Sequence, residues 1–84
     1  MDEFAAALKA RRETAGLSVE DLFQRTRINM EFLEAIEAGS FDVLPSVYLR
    51  LFLKKYAQEV GLDVEETLRS YEIASRPPPP PENP

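Results

Sequence analysis

All three glycines of the chain, Gly16, Gly39 and Gly61, stand directly behind stretches of helical periodicity. Glycine takes the left-handed backbone that closes a helix without the penalty a side chain meets there. Reading back from each stop predicts short helices, and the start signals agree. Phe4, Ala5, Leu8 and Ala15 give a first helix its apolar face, ending at Gly16. Ser18 caps a second helix over residues 19–26, with Asp21 completing a weaker form of the capping box. Val19, Leu22 and Phe23 are its expected inward residues. Asn29 caps a third helix, whose Met30, Leu33 and Ile36 recur at helical spacing before Gly39. Pro45 forbids a helical residue before it and suits the first turn after it. A connection over residues 41–45 therefore leads to a fourth helix over residues 46–60. Asp63 with Glu66 opens a fifth, carried through Thr67, Leu68 and Tyr71. No alternating β-branched run occurs, so the fold class is all-α.

With 84 residues, one domain is the ceiling, and about 60% of the unfolded surface can be buried. Acidic residues number 15 against 10 basic ones, a net charge of −5. That balance argues against general affinity for nucleic acid or anionic membrane. Cysteine and histidine are both absent, which removes disulfides, thiolate metal sites, the commonest general base and the commonest metal ligand. The chain is expected to be no enzyme and to need no cofactor. No run of about 18 apolar residues is present, and the N-terminus lacks the order of a signal peptide, so a cytoplasmic location is expected. Residues 1–73 read as the domain. From residue 74 the composition changes, with five prolines, Pro77 to Pro81, before Glu82, Asn83 and Pro84. This tail is expected to be extended and to begin a stiff linker toward further sequence.

The stretch LSVEDLFQRTRINMEFLEAIEAG, Leu17 to Gly39, resembles the helix-turn-helix unit of the lambda repressor superfamily. The match lies in Leu17-Ser18, the apolar Leu22, Ile28, Leu33 and Ile36, and the closing Glu37 and Gly39. Arg27 departs from the superfamily, which often places glycine in the interhelical turn, so a slightly remodelled turn is expected. The resemblance implies a five-helix, repressor-like domain. Fold alone does not carry function. In such repressors the first residues of the second helix read base edges with Arg, Lys, Gln or Asn. Here those places hold Met30, Glu31 and Phe32. Were the domain a sequence-specific regulator, Arg25, Arg27, Met30 and Glu31 would be its contact residues. Glu31, Glu34 and Glu37 read instead as a solvated face, and carboxylates facing a charge every ~1.7 Å of duplex make nucleic acid an improbable ligand.

The fourth helix, SVYLRLFLKKYAQEV, is the unusual element. At 100° per residue Leu49, Leu53, Tyr56 and Val60 form its core stripe. Val47, Tyr48, Leu51 and Phe52 form a second apolar set beside Arg50, Lys54 and Lys55. The fifth helix or the loop around Phe41 would cover that set in an ordinary bundle. Left open, Tyr48 and Phe52 at i and i+4 beside cations describe an aromatic anchor for a protein partner with acidic groups.

The same residues carry a closer likeness. Thr26-Arg27-Ile28, Phe32 through Glu37, Phe41, Leu44-Pro45, Val47-Tyr48, Phe52-Leu53-Lys54, Tyr56-Ala57, Gly61-Leu62-Asp63 and Tyr71 resemble the cytoplasmic domain of the RodZ family of bacterial cell-shape proteins. The likeness covers about residues 4–72. It implies a bitopic protein, with this domain at the inner face of the cell membrane and one transmembrane helix after the linker. It further implies a partner, the actin-like filament protein MreB, bound through an aromatic pair that maps onto Tyr48 and Phe52. Leu51 stands where the family often has a smaller residue.

Overall fold

The computed structural model describes residues 2–75. Five helices follow in order: α1 (Asp2–Thr14), α2 (Val19–Thr26), α3 (Met30–Ala38), α4 (Ser46–Val60) and α5 (Val64–Ser75), with a single 3-10 turn at Phe41–Val43. No strand occurs among the described residues. Of the extended proline-rich tail expected from residue 74, the part from residue 76 on lies outside them, and α5 itself runs to Ser75.

The punctuation works as its chemistry predicts. Ser18 Oγ accepts from the Asp21 amide at 3.0 Å and the Asp21 carboxylate accepts from the Ser18 amide at 2.9 Å, a complete capping box. Asn29 Oδ1 accepts from the Glu31 amide, and Asp63 Oδ1 from the Glu66 amide. Gly39 and Gly61 close α3 and α4 in the left-handed region. Gly61 is constrained twice, because a Cβ there would meet the Arg11 guanidinium at 3.3 Å. That guanidinium donates to the carbonyls of Val60 and Gly61, satisfying the last turn of α4 from α1. Arg27 keeps a left-handed backbone, with φ of 62°. The turn is therefore not remodelled; it holds the glycine-like geometry at the conformational cost of a side chain.

Leu8, Leu22, Leu33, Ile36, Leu53, Tyr56 and Val60 are the largest fully buried side chains. They bring α1, α2, α3 and α4 to one core. Two inward expectations fail. Ala15 is exposed beyond the end of α1, and Phe23 is 36% exposed although its neighbour Leu22 is fully buried. This eight-residue helix buries Leu22 and Thr26, four positions apart on one face, and Phe23 is turned about 100° away from Leu22.

Glu37 departs most from expectation. It is no solvated residue: its side chain is 8% exposed and forms a two-pronged ion pair with Arg12 of α1, at 2.7 and 3.0 Å. The fully buried Tyr56 hydroxyl of α4 lies 2.9 Å from the same carboxylate and 3.1 Å from the Leu8 carbonyl. Arg12 also donates to the Leu17 carbonyl at 2.8 Å. The hydrogen bond from Arg12 to Glu37 raises the guanidinium pKa further. Burial, then the Glu37 charge, pushes the Tyr56 phenol well above its ordinary range. This polar knot ties α1, α3 and α4 together, and among the described residues no buried side-chain polar atom is left without a partner.

Candidate protein-docking site

The knot fixes one end of α4 against α3, and the other end carries the candidate site. The core stripe of α4 is as expected, with Leu49, Leu53, Tyr56 and Val60 all buried. The second apolar set faces outward. Val47 is 81% exposed, Tyr48 52% and Leu51 44%, so neither α5 nor the loop around Phe41 covers it. Phe52 is half-buried, and its cover comes from elsewhere. The Phe32 ring of α3 stacks on it with centroids 5.7 Å apart and planes at 25°. Phe52 in turn stacks on Tyr48, one helical turn earlier, at 5.9 Å and 20°. The three near-parallel rings form a column that starts on α3 and ends in solvent at Tyr48.

The three cations of α4 do not cluster: Arg50 and Lys54 stand on one side of this face, and Lys55 falls within it, between Leu51 and Tyr48. Arg50 and Lys55 stand about 140° apart on the helix. Arg50 is engaged by Glu72 of α5. Lys54 is exposed, on the same flank as Arg50. Lys55 is half-buried and lines a shallow depression with Arg25, Thr26, Gln58 and Glu59. Val47 and Leu51 lie between that flank and Lys55. Apolar surface with a cation set into it and no deep cavity suits a protein partner better than a small molecule.

The residues named for groove contact are placed less favourably for that role. Arg25 reaches Glu59 of α4 at 3.5 Å. Arg27 occupies the left-handed turn. Met30 packs against the core and Glu31 is exposed in the first turn of α3. Phe32, which would share the groove-reading turn, has its ring committed to Phe52. Sequence reading singled out Tyr48 and Phe52 but missed Phe32 as their partner, placing it only at a groove-reading position, because one helix's periodicity does not show which neighbour its ring will meet. It also missed the Arg12–Glu37–Tyr56 knot, since isolated charges default to solvent.

Comparison with known proteins agrees with this architecture. The model of a helix-turn-helix domain family matches residues 7–67. The chain is 46% identical over 69 residues to the cytoskeleton protein RodZ of Streptococcus pneumoniae, covering 81% of this chain and 25% of RodZ. It is 38% identical over 56 residues to the membrane protein YmfM of Bacillus subtilis, covering 66% of this chain and 19% of YmfM. The chain thus spans a quarter or less of these relatives. A solved structure of YmfM from Staphylococcus aureus, a membrane protein proposed to bind DNA, superposes with a TM-score of 0.79 at 32% identity. That superposition covers 94% of this chain and 98% of the other. Among the described residues no helix is long and apolar enough to cross a membrane. A five-helix frame with a complete helix-turn-helix, matched over most of its length, settles the family: the chain belongs to the helix-turn-helix domain family and is similar to the corresponding part of RodZ.

Proposed function

We propose that this domain is the docking module of a RodZ-like cell-shape protein. It binds an actin-like MreB filament through the outward face of α4 and couples it to the membrane-bound machinery of wall elongation. The observation that carries the reading is the open end of the ring column. Tyr48 is a large aromatic side chain, half in solvent, ordered by a stack beneath it and adjoined by exposed Val47 and Leu51. A monomeric domain gains nothing from that exposure, whereas burial in a partner's pocket makes such a residue a hot spot. Lys54 beside Val47 and Lys55 between Leu51 and Tyr48 favour carboxylates on the partner, while Arg50, already engaged by Glu72, contributes less. The similarity to a cytoskeleton protein supports the choice of an actin-like filament. In the full-length protein the domain would sit at the inner membrane face, tethered through the segment that follows α5.

DNA binding is the second reading, favoured by the description of the Staphylococcus aureus neighbour. Against it stand the net charge of −5 and a first turn of α3 whose side chains serve the core, carry negative charge, or stack on α4. One experiment separates the two. The purified domain is titrated with MreB and, in parallel, with mixed-sequence duplex DNA at several salt concentrations. Docking predicts saturable binding to MreB and negligible affinity for the duplex. Affinity for the duplex that climbs steeply as salt falls, with none for MreB, would replace docking by groove binding.

A further inference from the structure

The ring column has its foot on a different helix from its tip. Phe32 is the third residue of α3, in a turn anchored by the Asn29 cap and followed by the fully buried Leu33 and Ile36. The Glu37 carboxylate, one turn on, locks the same helix to α1 and α4. The backbone beneath Phe32 is therefore held rigidly. Phe52 has Phe32 as its partner across the helix boundary, and Tyr48 meets only Phe52 among the aromatic rings in contact within the described residues. An exposed phenol on a helix ordinarily samples more than one rotamer, and ordering it on binding costs affinity.

From this we infer that Phe32 is a positioning residue of the docking surface: it fixes the Phe52 ring, and through it presents Tyr48 in one orientation before any partner arrives. The docking surface is then composite, built on α3 as well as α4. The helix that in a repressor reads bases serves here as the footing of a protein-binding column. This inference rests on the docking function proposed above, and it makes a claim of its own about the free domain.

The test compares the wild type with Phe32→Leu, which keeps an apolar side chain without a ring face, and Phe32→Tyr, which keeps the ring. Far-UV circular dichroism confirms the fold of each. Two quantities are read: the ring-proton chemical shifts of Tyr48 and Phe52 in the free domain, and affinity for purified MreB. Phe32→Leu is expected to move both sets of shifts toward random-coil values. It is also expected to weaken binding about fivefold, the equivalent of one aromatic pair, while Phe32→Tyr preserves both. Wild-type binding with Phe32→Leu equal to it in affinity overturns the positioning role and leaves the docking reading intact. Unchanged ring shifts in Phe32→Leu overturn it equally, whatever the affinity. Absence of wild-type binding brings down the docking reading and this inference together.

Discussion

Two aromatic trios occupy opposite fates in this small domain. Phe4, Phe41 and Tyr71 form a closed triangle, every ring meeting both others at 5.4 to 5.9 Å. Phe32, Phe52 and Tyr48 form an open column, with contacts only between successive members. The triangle joins α1, the 3-10 turn and α5, and Phe41 within it is 6% exposed. The column joins α3 to α4 and ends in a ring left half in solvent. A closed set has spent its surface on folding. An open set retains surface that only another molecule can cover, and the polar knot of Arg12, Glu37 and Tyr56 lets the domain keep it. By tying α3 to α4 through hydrogen bonds, the knot holds the two helices together without burying the column's tip.

That contrast can be broken from several sides. Cutting the triangle with Phe41→Ala should cost about 3–5 kcal/mol of unfolding free energy, seen as a lower urea midpoint. Glu37→Ala should cost about 3 kcal/mol by the same measurement, because it strands a buried Arg12 and removes an acceptor from Tyr56. Milder still, Tyr56→Phe should lose about 1 kcal/mol, the worth of one buried hydroxyl contact. It should also change the alkaline limb of a stability–pH curve. The Tyr56 phenol is held above its usual value of 10.0 in the fold, so the unfolded chain loses that proton first. Stability from this source is complete below about pH 10 and falls as pH rises further; Tyr56→Phe should show a flatter decline. The smallest change is a gain. Arg27→Gly should raise stability by about 0.5 kcal/mol by relieving the left-handed side chain, net of glycine's extra unfolded-state freedom.

Much of the frame was legible because its signals are local. Ser18, Asn29 and Asp63 bond to amides two or three residues away, and Gly39 and Gly61 act on the turn they end. The outward set on α4 was visible for the same reason, since one helix's periodicity shows which faces are apolar. It does not show which neighbour fills a face. Phe52 could have been left open or covered by α5 or the Phe41 loop, and it meets Phe32, twenty positions back along the chain. Glu37 and Arg12, |i−j| of 25 apart, look like two ordinary surface charges until the fold brings them together. Ala15 and Phe23 erred in the other direction: Ala15 lies in the turn just past α1, and Phe23 stands off the buried face of α2 that Leu22 and Thr26 form.

The central claim is that the open column binds and does not fold, so the most direct measurement pairs two properties of one variant. Tyr48→Ala is compared with wild type for MreB affinity by calorimetric titration and for unfolding free energy in urea. The account predicts an affinity loss of about 30-fold, roughly 2 kcal/mol, with unfolding free energy within about 0.5 kcal/mol of wild type. A folded Tyr48→Ala domain that binds MreB as tightly as wild type, or one that loses several kcal/mol of stability, would contradict it.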